Sequence, residues 1–256
     1  MHTNPRPLPR RAPRILSALL AAFGIAGAAP ALAASVHVVF DTPIFNGSGS
    51  DNVSIAYPGG HTDVAAGRFQ GTASNILGVS PSIFVDGVND LFMYCYDLYE
   101  TVGNGWSVDY TINFNGPTAR TLDFIGAVNS VLSAAGSYDP YAWLRPVSAF
   151  QGAAIQIGIW ESRYDSSPNW DLNNGSFRAS SLDPETQNWW NTFRNAIATS
   201  GSLDPKYAMT LEAAGAQDMI TADPPAAVPE PASLALLGLG LAGLGFSRRA
   251  RRDRGA

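Results

Sequence analysis

Two short segments carry the residues best suited to chemistry. The first is Tyr94-Cys95-Tyr96-Asp97, in a stretch expected to be a strand; the second is Gln156-Ile157-Gly158-Ile159-Trp160, in a stretch expected to be helical. Cys95 is the only cysteine of the chain. In an oxidising destination it has no internal disulfide partner, which leaves a buried thiol, a bridge to another molecule, or a chemically special group. A lone cysteine among aromatic residues ordinarily behaves as a small buried hydrophobe. A Gln–Trp helical segment is ordinarily core with one polar group satisfied. Asp97 is placed to tune such a site, although a strand-end hydrogen bond or solvent exposure is its usual role. Glu161, directly after the helical segment, is expected to face water.

Other constellations point less sharply. Asp165 to Gly175, with Asp171 and Asn173, resembles part of a calcium loop but has Leu at position 182 where a full site needs a distal Glu. His61 and Asp63 sit in a Gly-rich stretch as a loop pair, with no nucleophile-elbow pattern beside them. Only His37 and His61 remain once the N-terminal leader is set aside, so a His-rich metal site is excluded. No catalytic residue, metal or cofactor is assigned. A secreted hydrolase has no supporting motif, and the expected function is non-enzymatic.

Taken together, the two segments resemble the thioester domain family of bacterial surface proteins. That family pairs an aromatic-Cys-Ile-Asp motif with a Thr-Gln-x-Ala-Ile-Trp motif. Tyr94, Cys95 and Asp97 match the first motif, with Tyr96 in place of Ile. Gln156, Ile159 and Trp160 match the second, with Ile155 in place of Thr and Gly158 in place of Ala. The resemblance spans about residues 90–180 and implies an internal thioester between the Cys95 and Gln156 side chains. A thiol does not normally displace an amide nitrogen. Holding sulfur against the Gln carbonyl removes a bimolecular entropy cost of ~7–11 kcal/mol in favourable cases, and loss of ammonia to solvent draws the reaction forward. Aromatic neighbours (Tyr94, Tyr96 and Trp160) would exclude water from the product. The bond would then be spent once, on an amine of a surface partner.

The two ends address the chain. Arg6, Arg10, Arg11 and Arg14 precede an apolar run from Ile15 to about Ala29, and Ala31-Leu32-Ala33 supplies a small-x-small cleavage pattern. These are the parts of a secretory signal, read by the secretory translocon and signal peptidase, with cleavage expected near Ala33. At the other end, Pro229-Glu230-Pro231 precedes an apolar stretch from Ala232 to Phe246, followed by Arg248, Arg249, Arg251, Arg252 and Arg254. As a helix this stretch reaches roughly 22 Å, short of a ~30 Å hydrocarbon core, and the Arg cluster is expected to stay on the cytoplasmic side. Residues Val228 to Arg252 closely resemble the PEP-CTERM sorting signal of Gram-negative bacteria. That resemblance implies removal of the tail by an exosortase, transient residence in the inner membrane, and delivery to the cell surface or an exopolysaccharide matrix.

Charge narrows the partners further. Between the ends, residues 34–231 hold 7 basic and 20 acidic residues, a net charge of −13. Nucleic acid and anionic lipid are therefore poor partners.

The elements that must position these residues divide by period. Val36–Phe40, Val53–Tyr57, Ser82–Val85, Leu91–Tyr99 and Trp106–Phe114 read as strands between Gly- and Asn-rich turns. Leu122 to Leu132 repeats at helical spacing up to Gly136. A second helix is expected from Ser148, with Gln151 as its capping-box partner, to Trp160; a third runs from Pro184 to Ala198. Tyr207–Leu211 reads as a closing strand. The expected fold is α+β, an antiparallel β-sandwich or barrel framework with an inserted helical block. It occupies residues 34–216, between a signal at 1–33, a Pro/Ala-rich linker at 217–227 and a sorting segment at 228–256 that ends in a short transmembrane helix. The leading functional expectation is a surface protein that attaches covalently to amines. The alternative is a structural or glycan-binding β-rich matrix protein with an inert buried cysteine.

Overall fold

In the computed structural model, residues 33–134, 136–166 and 168–222 are described. Alternation places their strands. In β1 (Ser35–Phe40), Val36, Val38 and Phe40 are buried while Val39 is 37% exposed. In β6 (Ser107–Asn113), Val108, Tyr110 and Ile112 are buried between exposed neighbours. This two-residue period is what a sheet with one solvated face requires. Between them in sequence lie β2 (Ser50–Tyr57), β3 (Gly60–Gly67), β4 (Phe69–Leu77) and β5 (Leu91–Cys95). Three helices follow: α1 (Ala119–Leu132), α2 (Ala149–Tyr164) and, after the short strand β7 (Arg178–Ser180), α3 (Pro184–Ala196). The chain returns through β8 (Ala208–Glu212) and β9 (Met219–Ala222).

Six strands close into an antiparallel barrel in the order β1-β4-β5-β9-β8-β6, with β6 pairing back onto β1. The remaining three form a small sheet, β3-β2-β7. The helical block packs against this framework, with α2 touching α1, α3, β2, β3 and β5.

Helix α2 sets the geometry of the rest. Ser148 caps its first turn by accepting the Gln151 N–H at 3.2 Å, while the Gln151 side chain accepts the Val147 N–H at 2.8 Å. Every residue from Gln151 to Ser162 is buried. A helix buried on all sides belongs in a core, and its polar members Gln151, Gln156, Glu161 and Ser162 must find partners there. Close approach is achieved with glycine: a Cβ at Gly158 would lie 1.9 Å from the Phe124 ring of α1. Phe124 in turn packs against Trp170, Trp190 and Phe193.

Several expectations are corrected. Ser82–Val85 is not a strand: Pro81–Ile83 is a 3₁₀ turn, with Pro81 fixing φ at its start and Ser80 accepting from Ser82 N–H. The strand expected to reach Tyr99 stops at Cys95, and the stretch read as a linker from 217 contains β9, whose four residues are all buried. The barrel is closed and extends to Ala222. Strands β3, β4 and β7 were not anticipated from the alternation. Among the described residues no helix is long and apolar enough to cross a membrane. All of the expected signal at 1–33 except its last residue, and the sorting segment with its expected short transmembrane helix, lie outside the described residues.

Gly158→Ala is expected to lower stability by about 1–3 kcal/mol through overpacking against Phe124. A urea midpoint equal to that of the wild type would show that the ring moves aside without cost.

Candidate functional site

Cys95 ends β5 and Gln156 lies midway along α2, and the fold brings them together. The Gln156 side chain accepts the Cys95 N–H through Oε1 at 2.8 Å and donates through Nε2 to the Cys95 carbonyl, also at 2.8 Å. Cys95 is 2% exposed and Gln156 fully buried. The sheet explains why both backbone groups are available. Tyr96 donates to Asp218 on the β9 side at 2.8 Å, so Cys95 turns its N–H and C=O toward β4. Pairing of β4 with β5 ends at Phe69↔Met93, two residues before Cys95. The Gln156 amide takes the place of the missing strand.

Alternation along β5 separates the rest of the motif from the thiol. Tyr94 and Tyr96 lie on the opposite face. Tyr94 stacks on Trp143 at 5.7 Å and donates to its carbonyl, and the Tyr96 hydroxyl accepts the Thr118 N–H at 2.9 Å. They shield the far side of the strand rather than the sulfur. Trp160, one turn beyond Gln156, is 2% exposed and lies on the thiol's side. Ile159 is fully buried in the core. Burial, with Asp97 adding to it, pushes the Cys95 thiol well above its ordinary range.

Asp97 lies two residues past the end of β5. Its Oδ1 accepts the N–H groups of Tyr99 and Glu100, and its Oδ2 accepts that of Asp218 at 2.6 Å. Glu100 accepts from Gly215 N–H at 2.7 Å and Asp218 from Ala213 N–H at 3.0 Å. The three carboxylates lie within 4.8 Å of one another, and each holds a turn through backbone N–H groups. Burial raises Asp97 and pushes Asp218 up to about 6.

A cavity of about 510 Å³ opens over this site. Cys95, Trp160 and Gln217 line it, together with Tyr57, Asp63, Tyr99 and Glu100, while neither Tyr94 nor Tyr96 does. Sequence spacing gave no sign of this grouping, because its members come from separate strands and loops.

The other candidates resolve differently. Glu161 does not face water: it is fully buried, its Oε1 is 3.5 Å from an Arg120 nitrogen, and burial pushes it up to about 7, with Asp165 adding to the shift. Arg120 itself lies over the Trp170 ring at 3.6 Å. His61 and Asp63 are on strand β3 rather than in a loop, and Asp63 accepts from the Ser54 hydroxyl. Asp171 accepts from the backbone and side chain of Asn173, which closes a turn of the loop before β7.

Comparison with known proteins identifies a PEP-CTERM protein-sorting motif over residues 227–252. Pro229, Glu230, Pro231, Arg248, Arg249, Arg251 and Arg252 all fall within it. The chain thus carries the sorting signal of exported surface proteins, and an exosortase is the processing partner this motif implies. Comparisons with curated proteins and with solved structures gave no match.

Gln156→Leu would leave the Cys95 N–H and C=O buried without partners. A loss of about 2–5 kcal/mol is expected, read from the urea midpoint. A second expectation concerns pH. Glu161 titrates near 4.5 when unfolded and near 7 when folded. Between these values the unfolded chain has released a proton that the folded protein keeps, so stability falls as pH rises through that window and levels off above it. Asp218 acts in the same direction. The urea midpoint should be lower at pH 8 than at pH 5, with Glu161→Gln flattening the slope; a wild-type midpoint that rises would contradict this.

Proposed function

We propose that this is a non-enzymatic surface or matrix protein, released from the membrane by exosortase processing, whose Cys95 and Gln156 side chains close an internal thioester. The observation that carries this reading is the pair of 2.8 Å hydrogen bonds joining two residues 61 positions apart in a buried site. Those bonds fix the Gln156 carboxamide beside the residue that bears the thiol, so the entropy of approach is met by folding.

In the closing step, sulfur attacks Cδ of Gln156, an S–C bond forms and the C–N bond breaks. The thiol proton leaves on the departing nitrogen, which goes out as ammonia. The Nε2 hydrogen bond to the Cys95 carbonyl is lost with it. Burial disfavours a free thiolate, which suits a transfer in which the proton moves with the leaving group. The later step is attack by an amine on the thioester carbonyl, giving an amide at Gln156 and a free thiol at Cys95. Each molecule reacts once. The cavity that reaches Cys95 provides the approach for the amine. Gly158, in place of the alanine of the related motif, follows from the Phe124 ring filling the Cβ position.

A second reading is favoured by the gap in the β4–β5 ladder. There Gln156 serves only to complete the hydrogen bonding of β5, and Cys95 is an inert core residue of a structural matrix protein. The mass of the mature protein separates the two. The wild type should be lighter by one ammonia, with the deficit mapping to the peptides of Cys95 and Gln156 and abolished by Cys95→Ala. Methylamine should be incorporated at Gln156 with release of an alkylatable thiol. Full mass and a Cys95 that alkylates only on unfolding would instead establish the structural reading.

A further inference from the structure

The cavity over Cys95 is lined more richly than a channel for a simple amine requires. Among the described residues the only charged side chain that lines it is that of Glu100, since strand alternation turns the Asp63 carboxylate to the other face of β3, where Ser54 holds it. One Glu100 oxygen is held by the protein, Oε1 accepting from Gly215 N–H, and the carboxylate lies within 4.8 Å of those of Asp97 and Asp218. Among the described residues the other Glu100 oxygen accepts no hydrogen bond, and no basic side chain lines the cavity to balance the charge. Low-dielectric walls of one sign concentrate a cation.

The same walls carry aromatic surface. Tyr99 is 60% exposed, and its ring meets Tyr57 edge to face at 5.7 Å, with Phe45 also lining the space. Exposed aromatic rings beside hydroxyls and carboxylates match the alternating apolar faces and hydroxyl edges of a pyranose. Thr62, Thr101 and Gln217 add hydroxyl and amide groups. A lysine side chain offers one stem and three N–H donors, which would leave much of the 510 Å³ and most of these polar groups unused. A neutral sugar would leave the Glu100 carboxylate without a counter-charge.

We infer that this cavity is a binding site for an amino-sugar unit of a polysaccharide, a hexosamine whose amino group is free. Its ring lies on Tyr99 and Tyr57, and its ammonium faces Glu100. Recognition stands on the cavity alone; only a subsequent covalent bond to the sugar nitrogen rests on the thioester reading.

The test uses the full chain carrying Cys95→Ala, in which no thioester can form. Binding of a glucosamine oligomer is measured by calorimetry against the N-acetylated oligomer and a lysine-containing peptide of equal charge. The glucosamine oligomer is expected to bind at least tenfold more tightly than either. Glu100→Gln, which keeps the acceptor for Gly215, should weaken it at least fivefold. Tyr99→Ala, at an exposed position, should weaken both oligomers, with an unchanged thermal midpoint showing that the fold is intact. No binding, equal binding of the acetylated oligomer, or tighter binding of the peptide would overturn the inference. Failure of the thioester reading shows separately, as full mass in the wild type, and leaves the calorimetric result unaffected.

Discussion

A glutamine amide placed at the centre of a wholly buried helix must find both a donor and an acceptor, or the fold bears the cost of desolvating it. Gln156 finds both on Cys95. That requirement fixes the rotation of α2 and its depth against β5, because a shift of one residue along the helix would turn the amide away from the strand. It also determines where β4 can leave the barrel. Before Phe69 the chain runs through β3, outside the barrel, and the edge this leaves open is the one the amide covers. Helix, strand end and the turn between β3 and β4 therefore form one interlocked unit.

Much of this arrangement was legible in the sequence, and the limits have physical causes. The alternation of Val36, Val38 and Phe40, the Ser148 cap and the apolar face of Trp190 and Phe193 all signalled their elements, because each signal is local. The pairing of Cys95 with Gln156 was suggested by motif types rather than by any distance along the chain. Met219 to Ala222 carries no such signal, because three apolar residues and a threonine beside a Pro/Ala-rich stretch have no period to display; only the places left open beside β5 and β8 make them a strand. Glu161 was misread for a related reason. An acidic residue at the end of a helix usually meets water, and nothing near it in sequence reveals Arg120, which arrives from α1. The cavity was illegible because its lining is assembled by barrel closure.

Glu161 shows how the helical block tolerates a charge. Arg120 reaches it at 3.5 Å while lying over Trp170, so the guanidinium is held by a ring as well as by the carboxylate. Burying such a pair is seldom favourable in itself. What it provides is a fixed relation between α1, α2 and the loop carrying Trp170, reinforced by the 2.9 Å contact of the Thr121 and Ser162 hydroxyls. The helices are thus joined by polar contacts at one end and by Phe124 against Gly158 further along.

The place of β9 has a mechanical consequence. It is flanked on both sides, by β5 and β8, and the chain continues from its last residue, Ala222, toward the sorting motif. A pull along the axis of β9 would load its hydrogen bonds to both neighbours in shear, all together, instead of unzipping them one after another. On the β5 side the bridge furthest from the point of pulling is Met219 to Cys95. Tension carried through the strand is therefore handed to the residue that Gln156 grips, and from there to the most deeply buried helix of the protein.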